Sequence, residues 1–177
     1  IPAYALAGTQ IQAISFPKDL QTIGEGAFSS SKLATISIPA TVKEIGLGAF
    51  ANCDELTEVA IPASVENLGS HAFVDCDKLA TINLGVTKVN ASTFARCKSL
   101  NNVTATSLNE IGENAFTGCI SLKDFSFAPT LKIIGPSAFQ ATGLESINFS
   151  ATESLDSIGA WAFAQCGALT TAVMNNN

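Results

Sequence analysis

Ile38-Pro39-Ala40-Thr41-Val42-Lys43-Glu44-Ile45-Gly46-Leu47-Gly48-Ala49-Phe50-Ala51-Asn52-Cys53-Asp54-Glu55-Leu56 decides the fold, because its skeleton recurs along all 177 residues. The next copy runs Ile61, Pro62, Val65, Leu68, Gly69, Ala72, Phe73, Cys76 and Leu79. Working outward, the aromatic beat falls at Phe28, Phe50, Phe73, Phe94, Phe116, Phe139 and Phe163, with spacings of 21 to 24 residues. A period of that length describes a stack of similar turns rather than a globule with a unique core. About seven turns stand between an incomplete opening turn, with Leu6 at the Phe position and Ile11-Ile14-Phe16 after it, and another from Leu169 to the polar Asn175-Asn176-Asn177 end. Residues that recur at one phase are packing residues, so recognition has to be sought in what varies between turns.

Within a turn, Ile36-Ser37-Ile38 alternates apolar and polar as a strand with one buried face does. Pro39 ends that strand because it has no N–H to give a ladder. Val42 and Ile45 point inward from a second, shorter extended segment. Gly24, Gly46, Gly69, Gly112, Gly135 and Gly159 then hold one phase, with Asn90 as the replacement. Asn tolerates a left-handed backbone best among the other residues, so this phase is expected at positive φ. A short helical turn carrying Ala-Phe is expected next, driving the ring into the core. All eleven Phe fall on inward phases, Phe16, Phe125, Phe127 and Phe149 included. That reads as a core stack and not a ligand cage.

The string Ile-Pro-x-x-Val-x-x-Ile-Gly-x-x-Ala-Phe-x-x-Cys-x-x-Leu at Ile38–Leu56 resembles the BspA-type leucine-rich repeat, also called the Treponema pallidum type, and the likeness extends over essentially the whole chain. The resemblance implies an α/β repeat solenoid, a single domain over 1–177, right-handed, with a concave β-sheet and short helical or 3-10 turns on the convex side. It also implies a bacterial cell-surface or secreted protein engaged in adhesion or host contact, with an extracellular protein or glycan as partner. The family carries no catalytic residues and no cofactor to transfer, so an enzyme is not expected.

Composition narrows the partners. Fifteen acidic residues against nine basic ones argue against nucleic acid, which favours basic patches. No apolar run approaches the roughly 18 residues of a membrane-spanning helix. The chain begins in mid-turn at Ile1, without the polar capping repeat that solenoids use, and is expected to be a fragment of a longer protein.

Cys53, Cys76, Cys97, Cys119 and Cys166 share one phase, three residues after Phe, where two turns have Ser31 and Thr142 instead. Turns stack about 5 Å apart, so four neighbouring sulfurs form a line and cannot converge on one zinc. A ladder of buried thiols is expected, with neither metal nor disulfide.

His71, the only His, and Trp161, the only Trp, occupy a variable phase just before Ala-Phe, expected on the surface. Nothing marks a nucleophile beside His71, whereas Trp161 is a candidate contact residue. The outward files of the long strands read Ser15, Ser37, Ala60, Asn83, Thr104, Ser126, Asn148 and Ala13, Thr35, Glu58, Thr81, Asn102, Asp124, Ser146. Asn83, Asn148, Glu58 and Asp124 are the further candidates. Neither file holds the Trp, Tyr or Arg that interface hot spots favour, so weak, multivalent binding is the functional reading. Glu58 and Asp124 lie three turns apart, too far for a catalytic pair. Asn90, Asn102 and Asn148 match Asn-x-Ser/Thr sequons, which act only in a eukaryotic secretory pathway. A stiff spacer presenting another domain is the alternative to recognition.

Overall fold

The alternation read in the sequence becomes a three-sided turn, here in a computed structural model that describes residues 1–174; the polar end at 175–177 lies outside the described residues. The strands are β1 Thr22–Ile23, β2 Glu44–Ile45, β3 Glu58–Ile61, β4 Asn67–Leu68, β5 Thr81–Leu84, β6 Lys88–Val89, β7 Asn102–Ala105, β8 Glu110–Ile111, β9 Ile133–Ile134, β10 Ser146–Asn148, β11 Ser157–Ile158 and β12 Thr171–Val173. All pairing is parallel. The longer strands build one side as β3-β5-β7 and β10-β12, and the two-residue strands build a second side as β1-β2-β4 and β6-β8-β9-β11. Register is turn on turn, with Glu58 beside Thr81 and Thr81 beside Asn102. Like phases therefore stack into files, which is how a repeated sequence becomes a repeated core.

The third side carries Ala-Phe, and here the structure corrects the sequence. Among the described residues there is no helix. N–H groups alternate in their use instead. Ala27, Ser29 and Ser31 donate back to Gly24, Gly26 and Phe28 carbonyls, closing tight turns. Gly26, Phe28 and Ser30 donate across to Leu47, Ala49 and Ala51 of the next turn at 2.7–2.9 Å. The same three lateral bonds recur at every turn-to-turn contact through Ala141 N–H to Ala164. A helix would use all these N–H groups along its own axis, and left-handed residues two before and two after each Phe break it again. His71 and Asp75 show this at φ 59° and 57°.

The expected positive φ at the Gly phase is also overturned. Gly24, Gly46, Gly69, Gly112, Gly135 and Gly159 do not have positive φ. They are glycine because the preceding turn leaves no room for a Cβ. One added at Gly69 would sit 2.5 Å from Leu47 N, and one at Gly46 would sit 2.5 Å from Glu25 N. At Asn90 the side chain takes over the ladder: its Nδ2 donates to Leu68 O at 2.6 Å, as Gly69 N donates to Ile45 O.

Inside, the Phe rings form one continuous stack. Phe28, Phe50, Phe73, Phe94, Phe116, Phe139 and Phe163 lie 5.0–5.5 Å apart, centroid to centroid, within 12° of parallel. Those centroid distances lie in the range that interacting aromatic pairs adopt. Phe163 is half-buried at the end of the stack, and the other six are fully buried. On the outside, six ion pairs among the described residues join neighbouring turns, including Lys43–Glu66 at 3.1 Å and Lys88–Glu110 at 2.9 Å. Exposed as they are, each adds little to stability.

Candidate functional site

The long-strand side presents both outward files as read: every member is exposed except Thr81, which is half-buried. Pleating sends Val59 and Ile61 inward and Glu58 and Ala60 outward. The face is not flat. A depression of about 210 Å³ is lined by Ile36, Glu58, Val59, Ala60, Thr81 and Asn83. Another, of about 230 Å³, is lined by Phe125, Ser126, Phe127, Asn148, Ser150 and Ala151. The structure thus brings Glu58 and Asn83 to one depression and places Asn148 at a second, next to the segment that carries Asp124. It keeps Glu58 and Asp124 apart, on β3 and in the turn after β7.

Hydrogen-bonding capacity on this face is partly uncommitted. Asn148 Oδ1 accepts the Ser150 N–H at 2.9 Å, which orients the carboxamide and leaves its N–H₂ outward. Asn83 makes no side-chain hydrogen bond within the described residues. Sequence reasoning missed a larger depression of about 410 Å³ lined by Ile14, Ser15, Phe16, Lys18, Ser37 and Pro39. No residue there departs from the repeat pattern except Lys18, and an isolated Lys carries no signal.

Trp161 lies elsewhere, on the Ala-Phe side. It is 73% exposed and holds φ 62°, so a bulky aromatic occupies a left-handed position that Gly26 and Gly48 fill in other turns. Such a conformation costs about 1–2 kcal/mol in an L-residue. Tyr4, at the same phase, is likewise exposed with φ 56°, and its hydroxyl donates to the Glu25 carboxylate. His71 is exposed as well, with no ion pair among the described residues.

The cysteines have a structural task. Cys53, Cys76, Cys97, Cys119 and Cys166 donate their S–H to the Phe carbonyl one turn back, Phe28, Phe50, Phe73, Phe94 and Phe139, at 3.1–3.2 Å. Ser31 and Thr142 lie in the same row, with Thr142 Oγ1 3.1 Å from Cys166 Sγ. Burial pushes the Cys76 and Cys97 thiols well up and Cys119 to about 12. Thiolate, the nucleophilic and metal-binding form, is thereby disfavoured. Among the described residues no cluster of His, Cys, Asp and Glu could hold a metal ion, and no helix is long and apolar enough to cross a membrane.

Comparison with known proteins adds the following. The family model described as BspA type leucine rich repeat region matches in six copies, over residues 1–109 and 87–177. Among solved structures, a leucine-rich repeat protein from Bacteroides ovatus is 28% identical with a TM-score of 0.71, over 92% of this chain and 48% of that one. The chain therefore spans about half the length of that protein. The T. pallidum leucine rich repeat protein is 27% identical with a TM-score of 0.61, over 70% of this chain and 71% of that one. A leucine rich cell surface protein from Faecalibacterium prausnitzii, 23% identical with a TM-score of 0.55 over 89% and 52%, shares the fold. No curated protein matches the chain.

Proposed function

The chain belongs to the BspA-type leucine-rich repeat family, and on that premise we propose that it is a non-catalytic recognition module of a bacterial surface or secreted protein. Its partner is an extracellular protein or glycan, met in adhesion or host contact. One observation carries the reading. The inward phases repeat from turn to turn, while the exposed files of the long-strand side change identity at each step: Ala60, Asn83, Thr104, Ser126, Asn148. A face whose residues vary on a constant frame is where a solenoid encodes specificity. Asn83, Asn148, Glu58 and Asp124 contribute hydrogen bonds and charge there, and Trp161 offers a separate aromatic contact on the Ala-Phe side. Small side chains keep each contact weak, so affinity arises from many contacts or many arrays together.

A spacer role is the second reading, favoured by the absence of Trp, Tyr and Arg from either file and by the ion pairs that tie successive turns. The two are separated by binding of the chain to immobilised extracellular-matrix proteins and glycans, with Trp161→Ala and Asn83→Ala/Asn148→Ala run alongside. Recognition requires saturable binding that at least one variant weakens by about tenfold with its unfolding midpoint unchanged. Binding to no component, or binding indifferent to every variant, supports the spacer.

A further inference from the structure

From β1 to β11 the short-strand ladder is interrupted once, and from β3 to β12 so is the long-strand ladder, at staggered places; before β3 the long-strand side holds, among the described residues, only the single Thr35–Glu58 bridge. The short-strand ladder breaks between β4 and β6, at the turn where Asn90 replaces glycine, while the long-strand ladder runs on from β3 to β5. The long-strand ladder breaks between β7 and β10, while the short-strand ladder runs on from β6 through β8 and β9 to β11. The second break is the wider one. Asp124, Phe125, Ser126 and Phe127 occupy the place of a strand yet make no backbone hydrogen bond among the described residues. Glu145 N–H to Lys123 O, at 3.0 Å, is the last bond before the gap.

From β3 onward two side chains set this segment apart from its neighbours, although Ile36–Ile38, before β3, also forms no strand with Ile at both phases. Turns on either side put Val103 and Ala105, then Ile147 and Phe149, at the two inward phases of the strand. Here both are Phe. Phe125 stands edge-on to Phe116 and Phe139 at 5.4 and 4.9 Å, and Phe127 meets Phe139 at 5.7 Å and Phe149 at 4.6 Å. This second aromatic layer adds volume beneath the segment that the flanking strands do not carry. A single Phe at these phases is compatible with pairing, since β10 leads directly into Phe149 and still pairs with β12.

We infer that Asp124–Phe127 is a built-in seam that divides the long-strand face into two blocks, β3-β5-β7 and β10-β12, able to change their relative inclination while the Ala-Phe side and the short strands stay bonded. The arc bonds across the seam, Phe94 N–H to Ala115 O at 2.9 Å and Phe116 N–H to Ala138 O at 2.8 Å, form the unbroken edge about which it opens. On the proposed recognition reading the seam lets the face adjust its curvature to a partner; the seam itself does not depend on that reading.

Hydrogen exchange on the intact chain, followed by mass spectrometry without any ligand, tests it. Amides of Asp124–Phe127 should exchange at least a hundredfold faster than those of β5, Thr81–Leu84, which are paired on both sides. Equal protection in the two segments overturns the seam. Phe125→Val with Phe127→Leu restores the usual strand pattern and should raise protection at 124–127 by tenfold or more. Phe125→Ile alone serves if the double variant does not fold. A folded variant with unchanged exchange would show that the two rings do not hold the gap open, and the inference would fall.

Discussion

Phe94→Ala probes the stack at its middle, and the structure sets the size of the effect. The ring is fully buried and lies 5.4 Å from Phe73 and 5.5 Å from Phe116, nearly parallel to both. Loss of a buried Phe costs about 3–5 kcal/mol, and the value depends on how far the surroundings can collapse into the void. Collapse is obstructed here. Turn spacing is held by the arc bonds Phe73 N–H to Thr93 O and Phe94 N–H to Ala115 O, both 2.9 Å, so the neighbouring rings cannot close on each other. The upper part of the range, about 4–5 kcal/mol, is therefore expected. Phe163→Ala is the internal control: that ring is half-buried and has one parallel partner, Phe139 at 5.4 Å. About half the cost follows, roughly 2 kcal/mol. Urea unfolding followed by far-UV circular dichroism measures both, with Phe94→Leu as a milder variant should Phe94→Ala not fold. The dependence on denaturant should also flatten for Phe94→Ala, because turns on either side of a weakened contact uncouple in a one-dimensional array. A loss below about 2 kcal/mol, or Phe163→Ala costing as much as Phe94→Ala, would refute the reasoning.

Three further outcomes follow from the same geometry. Gly69→Ala should destabilise strongly by forcing a Cβ against Leu47 N, whereas His71→Gly should stabilise by about 1 kcal/mol by relieving φ 59°; thermal melts of the pair check the assignment of strain. The contribution of the thiols to stability should be flat below about pH 8.5 and fall from about pH 9 towards 12. The unfolded chain releases thiol protons in that window while buried Cys76, Cys97 and Cys119 keep theirs, so each thiol costs up to about 1.4 kcal/mol per pH unit; urea midpoints across pH test this. In native alkylation Cys166, the half-exposed thiol, should react first and the other four only on unfolding, as peptide mass spectrometry would show.

Much of this was legible in the residues because packing phases repeat and phases that face water do not. The inward files, the extended segments of most turns, the thiol row and the surface position of Trp161 all follow from that contrast, although Ile36-Ser37-Ile38, read as a strand, is joined to the next turn's strand, among the described residues, only by the Thr35–Glu58 bridge. Two features did not follow. Glycine is selected both by positive φ and by absence of room for a Cβ, and the sequence does not separate these causes; Asn90, which suggested the first, holds its place by a side-chain hydrogen bond to Leu68. The truly left-handed phases hold Gly8, Gly26, Gly48, Gly118, Asn52, Asn114 and Asp75, which favour that conformation, but also His71, Arg96, Trp161 and Gln165, which dilute the signal. Spacing of Ala-Phe-x-x-Cys fits a helical turn, but lateral bonding to the next turn replaces it, and those partners lie twenty or more residues away. The paired rings of Phe125 and Phe127 were visible as residues, yet their effect on the strand emerges only against the stack beneath. As for the candidate site, exposure could be read from alternation, whereas the depressions that gather Glu58 with Asn83 depend on how turns open against one another.

The claim at the centre is that recurring phases hold the array and varying phases recognise. An alanine scan of the single turn from Leu79 to Leu100, with unfolding midpoint and binding to an immobilised matrix protein or glycan measured on every variant, tests it most directly. Replacement of Leu79, Ile82, Leu84, Val89, Phe94 and Cys97 should lower the midpoint, and replacement of Thr81 and Asn83 should change binding alone. Binding that falls only where stability falls, with Thr81 and Asn83 silent in both, would contradict the account.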